Sequence, residues 1–307
     1  MGRMNFYSGV GLDRADHLRG DETWLQARIE DPSTRFVAVW RSRNLVAAEA
    51  VTRPLWLHGQ AAVALMARAE NVTFLGLNEE RAYVALDLSR LEAPEQEAGL
   101  AGRGAFHDLR AVGPLMARHE GALLAYARGL MHWHRRHRFC GVCGSPTESR
   151  RGGHLRLCLD PDCGTPHFPR TDPAVIMLVH DGAHCLLGRQ KIWLPGMHST
   201  LAGFVEPGES LEEAVAREVE EEVGLKLDLA AIAYHSSQPW PFPSSIMLGF
   251  HALTQKAALR VNPEEIESAA WFSRDELLNS PEDETFKLPR VDSIARRLIE
   301  DWLAETA

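Results

Sequence analysis

Residues 203–225, "GFVEPGESLEEAVAREVEEEVGL", read as one helix with both ends marked. Ser210 followed by Glu213 forms a capping box, in which each side chain satisfies a backbone donor that the first helical turn leaves unpaired. Gly224 suits the left-handed position just past the last turn. The spacing therefore predicts a helix over Leu211–Val223, with Leu211, Val215, Val219 and Val223 recurring every fourth residue as the buried stripe. At about 100° per residue, Glu218 and Glu222 lie roughly 40° apart and Glu221 roughly 60° from Glu218. Three carboxylates thus share a narrow arc beside the buried stripe. Like charges at this spacing cost a helix about 0.2–0.5 kcal/mol per pair, and more when partly desolvated. The arrangement calls for cations, and hard carboxylate oxygens suit Mg²⁺ or Mn²⁺, which keep waters and take substrate phosphates. Glu212, Glu213 and Glu220 fit a solvated acidic face instead. Arg217 points to another side of the helix and is placed to hold a carboxylate such as Glu209.

Working outward, Val175–Val179, Cys185–Leu187 and Ile246–Leu253 are apolar runs of strand length, and an amphipathic helix is expected from about Arg290 to Leu303. In the first third of the chain, Phe36–Trp40, Ala62–Met66, Val72–Leu77 and Tyr83–Leu88 are short apolar runs or alternations bounded by turn residues, as in a small sheet. From Gly113 to about Arg136 the period becomes helical, with Leu115, Leu123, Leu124, Ala127 and Leu130 on related faces, and this helix is expected to join two domains. No internal repeat or low-complexity tract is evident.

The first cysteine cluster reads Cys140-Gly-Val-Cys143, then fourteen residues, then Cys158-Leu-Asp-Pro-Asp-Cys163. Two short-spaced pairs separated by a hairpin-sized stretch can bring four thiolates onto one tetrahedral Zn²⁺, with no coordination position left open for chemistry. A structural zinc module is expected, with a disulfide as the weaker alternative; His154 and His167 could replace a cysteine but read better as solvated or packed histidines. Cys185, within a strand, reads as a small buried residue. The chain then divides into an N-terminal β-rich domain (1–112), a connecting helix (113–137), a zinc ribbon (138–168) and a catalytic domain (169–307).

The stretch "SQPWPFPSS", Ser237–Ser245, alternates three prolines with Trp240 and Phe242. Pro239, Pro241 and Pro243 fix φ and remove donors, which argues against helix and central strand and for a stiff extended wall carrying two aromatics. Composition limits what such a wall can serve. The chain has 307 residues, 45% of them apolar, and a net charge of -9, so it can bury real cores but has no overall basic field for duplex nucleic acid. No run approaches the ~18 apolar residues of a membrane span, and the N-terminus lacks the apolar core of a signal peptide, so the cytoplasm is the expected compartment.

Gly203, Glu209, Arg217, Glu218, Val219, Glu221, Glu222, Gly224 and Leu225 match every specified position of the box of the Nudix hydrolases, and the chain resembles that family over its C-terminal half. The resemblance implies an α/β/α sandwich that hydrolyses a nucleoside diphosphate linked to another group, with Glu218, Glu221 and Glu222 as metal ligands and as the residues that help activate the nucleophile. "SQPWPFPSS" resembles the specificity motif of the NADH pyrophosphatase subfamily, which also carries a four-cysteine zinc module ahead of its catalytic domain. That implies a dinucleotide platform formed by Gln238, Pro239, Trp240, Pro241, Phe242, Pro243, Ser244 and Ser245, with Gln238 bonding one end of the ligand. By the same resemblance, Ala202 offers a backbone oxygen to the metal and Phe204 stacks on a ring. Ala295 makes a backbone contact to substrate, and Glu265, with Glu264 as its neighbour and competitor, joins the metal cluster. Phe168 stands where the family has a tyrosine that closes the pocket; the missing hydroxyl removes any hydrogen bond it would make.

The implied reaction is cleavage of NADH to reduced nicotinamide mononucleotide and AMP by a homodimer, with NAD⁺ a poorer substrate and NAD-capped RNA a further one. The basic run "HWHRRHR" (132–138) either guides such a strand or is a solvated helix end. Two alternatives stay open: a Nudix hydrolase for ADP-ribose or dinucleoside polyphosphates, and a zinc-ribbon RNA-binding protein whose Nudix domain is inactive.

Overall fold

The computed structural model describes residues 4–305, which form two compact units. One comprises Tyr7–Thr171 together with Trp240–Ser244; the other comprises Asp172–Pro239 with the described residues before Tyr7 and after Ser244.

The first unit begins with helix α1 (Glu22–Glu30), started by Asp21, whose carboxylate accepts the Trp24 amide at 2.9 Å. Strands β1 (Arg35–Trp40) and β2 (Arg43–Ala47) follow, then α2 (Gly59–Met66), β3 (Asn71–Asn78), β4 (Arg81–Asp87) and β5 (Gly104–His107). They make one sheet in the order β3-β4-β1-β2-β5, antiparallel except for the parallel β1–β4 pair. Phe36, Ala38, Leu45, Val84 and Leu86 of this sheet and Ala62 and Leu65 of α2 share one core. The expectation of strand for Ala62–Met66 therefore fails. A short apolar run carries no period of its own, and here Ala, Leu and Met, all good helix formers, outweigh the single Val63.

The helix expected from Gly113 is shorter and preceded by a break. After α3 (Leu109–Val112), a 3₁₀ turn over Gly113–Leu115 contains Pro114, and α4 runs Arg118–Arg136. Leu123, Leu124, Ala127, Leu130, Met131 and Trp133 of α4 are buried. Rather than running free as a connector, α4 packs on β1, β2 and β3. Strands β6 (Thr147–Arg150), β7 (Leu155–Cys158) and β8 (Pro166–His167) then form a small antiparallel sheet.

The second unit is the α/β sandwich. Strands β9 (Asp172–His180), β10 (His184–Arg189) and β11 (Leu201–Phe204), helix α5 (Leu211–Val223), strands β12 (Ile232–Trp240), β13 (Ser245–Leu253) and β14 (Ser268–Ser273), and helices α6 (Arg274–Leu278) and α7 (Ile294–Ala304) follow in order. The sheet runs β12-β13-β9-β10-β14, with β11 also paired to β9. Central β9 is apolar without alternation because both its faces are covered. Val175, Met177 and Val179 pack with Val215, Val219 and Val223 of α5. Ile176 and Leu178 pack on the opposite face with Ile294, Leu298, Ile299 and Trp302 of α7. As expected, the prolines are kept out of a central strand: β12 extends through Pro239 to Trp240. It is an edge strand, where a missing donor leaves no interior ladder bond unmade. No helix among the described residues is long and apolar enough to cross a membrane.

Candidate active site and zinc centre

Helix α5 begins and ends where its sequence dictates. Ser210 and Glu213 make both bonds of the capping box, and Gly224 closes the helix at φ 72°. This end-stopping sets the rotation of the helix, and with it the direction of the carboxylates. Valines 215, 219 and 223 are fully buried, which turns Glu218 and Glu222 toward β11 and the sheet edge. A β-carbon on Gly203 of β11 would overlap the Glu218 carboxylate, so a side chain there would have to displace that group.

Glu222 is only 5% exposed, and its Oε2 is buried without a hydrogen-bond partner. Burial, followed by the nearby Glu218, Glu265 and Glu221 carboxylates, pushes its pKa up to about 8. Burial also raises Glu218, against the pull of Arg217. A buried, unpartnered oxygen near like charges is one that a hard divalent cation would satisfy; among the described residues, only the four cysteines bring three or more His, Cys, Asp or Glu ligand atoms within 4.8 Å of one another. Glu265, exposed on the loop before β14, accepts from Asn262 Nδ2 through its Oε1 at 3.2 Å, and its charge helps to raise Glu222. Neighbouring Glu264 is exposed, and its amide caps onto Asn262.

Arg217 does more than the sequence suggested. Its guanidinium bonds Glu209 at 2.6 and 3.0 Å, as expected, and also Glu218 and Glu221, each at 2.9 Å, and the Phe204 carbonyl at 2.8 Å. One cation therefore ties the loop before α5 to two of the clustered carboxylates and to the end of β11.

Around this cluster, Ala202 sits in β11 opposite Ile176 of β9, and the Phe204 ring at the strand end is exposed. Ala295 is buried in the first turn of α7, where its amide donates to the Ser293 hydroxyl at 3.0 Å. The Gln238 side chain has a different job from the ligand contact expected of it. It is 1% exposed, its Nε2 donates to the carbonyls of Asp292 (2.7 Å) and Phe6 (3.3 Å), and its Oε1 accepts the Ile294 amide at 2.8 Å. Those bonds fasten the start of α7 to β12, because a buried amide must spend its polar atoms locally.

Trp240–Ser244 belongs to the other unit. There Pro241 and Phe242 are buried, Trp240 is half-buried, and Pro243 is exposed. Tyr7 meets Trp240 and Phe242 edge-on at centroid distances of 6.1 and 5.7 Å. Phe242, 9% exposed, is thus a packed ring and not the open face expected of it. Ser244 and Ser245 are partly exposed, and Phe168, after β8, is exposed.

The four cysteines also lie in that unit. Their sulfurs are all within 4.8 Å of one another, with Cys140–Cys163 at 3.8 Å and Cys143–Cys158 at 3.4 Å. Tetrahedral Zn–S bonds of about 2.3 Å put sulfurs roughly 3.8 Å apart, so the residues fit zinc. His167 is not one of the four: its Nε2 lies 3.3 Å from Cys140 Sγ, at hydrogen-bond distance. His154 is turned away, with Nε2 2.8 Å from the Phe74 carbonyl. Cys185 is fully buried, and burial pushes its thiol up to about 12, as suits an inert core residue.

Three family models match the chain in succession: an NADH pyrophosphatase-like rudimentary NUDIX domain over residues 33–133, an NADH pyrophosphatase zinc ribbon domain over 135–168, and a NUDIX domain over 170–293. Among similar proteins, the NAD-capped RNA hydrolase NUDT12 of Homo sapiens is 36% identical over 97% of this chain and 73% of its own length. The NAD-capped RNA hydrolase NudC of Mycobacterium bovis (strain BCG / Pasteur 1173P2) is 38% identical over 97% of this chain and 94% of its own. The NAD-capped RNA hydrolase NudC of Stutzerimonas stutzeri is 46% identical over 71% of this chain and 73% of its own.

Proposed function

The chain belongs to the Nudix hydrolases, in the branch whose catalytic domain follows an NADH pyrophosphatase zinc ribbon, and from that premise we propose that it hydrolyses the diphosphate of NADH and removes NAD from RNA 5′ ends. The products from the dinucleotide are reduced nicotinamide mononucleotide and AMP. The observation that carries this reading is the buried, unpartnered Glu222 oxygen set among Glu218, Glu221 and Glu265. These four carboxylates, with the Ala202 carbonyl, would hold Mg²⁺ or Mn²⁺, and the four cysteines would hold structural Zn²⁺. When bound, the divalent cation supplies charge neutralisation for the diphosphate and acidifies water.

The chain's own residues do the rest. Arg217 keeps Glu218 and Glu221 in fixed rotamers through its bonds to both, which orients two of the donors before substrate arrives. Glu218, Glu221 or Glu222 would help to activate the attacking water, with the burial that raises Glu222 offset by the cation's charge. Exposed Phe204, at the end of β11 beside Arg217, offers a ring face to a base. Pro239, Ser245 and Ala295 of the same unit would line or support the ligand. The working form is a cytoplasmic homodimer.

The test is the initial rate of diphosphate cleavage on NADH, NAD⁺, ADP-ribose and NAD-capped RNA with Mg²⁺ or Mn²⁺, beside Glu222→Gln. Cleavage of NADH or the capped RNA, with loss of at least about 100-fold in the variant, is expected for an electrostatic group at the reaction centre. Faster cleavage of ADP-ribose would reassign the substrate, and RNA binding without cleavage of any of the four would make the protein a binding module.

A further inference from the structure

The groups around the four clustered sulfurs come from two kinds of place. The Val142 amide donates to Cys140 Sγ at 3.4 Å, and the Thr165 hydroxyl lies 3.1 Å from Cys163 Sγ. Each follows its cysteine by two residues, so it comes with the turn that carries the sulfur. His167 is different. Its Nε2 reaches Cys140 Sγ at 3.3 Å from 27 positions along the chain. The ligand atoms that all lie within 4.8 Å of one another are the four sulfurs, and that set leaves this ring nitrogen outside.

The small sheet delivers the ring to the sulfur. His167 of β8 pairs with Arg156 of β7, the strand that ends in Cys158, and Cys158 pairs with Thr147 of β6. Arg156 is buried and donates to the Thr147 hydroxyl at 2.7 Å and to the Thr147 carbonyl at 2.8 Å. The strand that sets the register of His167 is therefore fastened to its other neighbour as well. The His137 ring lies at a centroid distance of 6.4 Å from His167, with its own Nδ1 2.9 Å from the Trp133 carbonyl.

Four thiolates on one Zn²⁺ leave excess negative charge on sulfur. A zinc-bound Cys140 sulfur has given up its proton and can only accept, so the imidazole nitrogen is the donor of that pair. An N–H held on a metal-bound sulfur draws charge from it and fixes its direction, as the outer partners of metal ligands do. An apolar ring would serve packing equally well but would put no donor on the sulfur.

We propose that His167 is a positioning residue for the zinc: its Nε2–H, donated to the Cys140 sulfur from the far end of the ribbon, slows loss of the metal to competing ligands. The inference stands apart from the reaction assigned to the catalytic domain, and neither measurement below reads catalysis.

The first measurement is the rate of zinc transfer from the zinc-loaded full chain to the chelating dye 4-(2-pyridylazo)resorcinol. The second is the visible and near-ultraviolet absorption of the Co²⁺-substituted chain. His167→Phe keeps a ring and removes the donor; His167→Gln keeps an N–H at similar reach. Zinc transfer is expected to be about 10-fold faster in His167→Phe and within about 3-fold of wild type in His167→Gln. In the Co²⁺ form, His167→Phe is expected to move the sulfur-to-metal charge-transfer band to longer wavelength, because the sulfur is more electron-rich, while the d–d bands keep the intensity of a tetrahedral site. His167→Gln is expected to leave that band near its wild-type position. Wild-type transfer and an unmoved band in His167→Phe overturn the proposal, as do equal effects of the two variants, which would make the role one of shape. A wild-type Co²⁺ spectrum of three sulfurs and one nitrogen also overturns it, since His167 would then be a ligand. Circular dichroism identifies a variant that has lost its fold; if that is His167→Phe, His167→Ala takes its place in both measurements with the same expected outcomes.

Discussion

The Glu218 carboxylate occupies the space that a β-carbon on Gly203 would need. The strand that ends in Phe204 and the helix that carries the acidic arc are therefore in direct contact at one residue, and the absence of a side chain on one strand position sets where a carboxylate on the helix can stand.

Gly203→Ala is expected to displace Glu218 while leaving the sandwich folded. Overpacking at a tight contact costs about 1–3 kcal/mol, and a carboxylate moved by about 1 Å at a reaction centre loses on the order of 100-fold in rate. Urea unfolding and kcat on NADH, measured on the same preparation, check both numbers; a variant with wild-type kcat would detach Glu218 from the reaction.

Gln238→Leu is expected to destabilise the unit that holds α7 by about 1–3 kcal/mol, since it takes the Gln238 acceptor from the buried Ile294 amide. Equilibrium unfolding reads this directly. A stability loss under about 0.5 kcal/mol, together with a raised KM, would return Gln238 to the role of a ligand contact.

Stability should fall in acid through His134. Its ring is fully buried, with Nδ1 3.1 Å from Arg156 Nη1 and Nε2 2.9 Å from the Gly153 carbonyl, an arrangement that suits the neutral ring protonated on Nε2. Burial first, and Arg156 second, lower its pKa from 6.5 to about 3. The unfolded chain therefore binds a proton below about pH 6.5 that the folded protein refuses until about pH 3, and the stability present above pH 6.5 is lost as pH falls, at up to about 1.4 kcal/mol per unit. The stability gap between wild type and His134→Gln should narrow by about 2 kcal/mol between pH 6.5 and pH 5. A gap constant with pH would show that the ring is not held neutral.

Chelation should act on the unit that contains the zinc centre. Binding energy at a four-thiolate site is folding energy, because the unfolded chain has no preformed site. Stripping zinc at neutral pH is expected to lower the unfolding midpoint of the full chain and to expose four thiols to a colorimetric reagent, with Cys185 reacting only after denaturation. Unchanged thiol reactivity after chelation would argue that the four cysteines do not share a metal.

The residues legible in advance are those whose partners are near in sequence. Helix α5 was readable to the residue because Ser210, Glu213 and Gly224 are its own end signals, and the four cysteines because their spacing closes a site within one hairpin. Ala62–Met66 was not readable, since a short apolar run has no period until its neighbours choose one. The partners of Gln238 and Phe242 were not readable for another reason. Gln238 bonds Ile294, 56 positions along the chain, and Phe242 lies against Arg110 and Arg128, and no local pattern encodes a partner so distant.

Sequence alone determined the acidic helix and the thiolate cluster, because hydrogen-bonded caps, helical period and short loops are local properties of a chain. Tertiary structure decided which carboxylate is buried and unpaired, which loop Arg217 fastens to Glu218 and Glu221, and that the aromatic segment rests on arginines from another part of the molecule. Those outcomes depend on desolvation and on contacts between distant segments, and neither exists until the chain has packed.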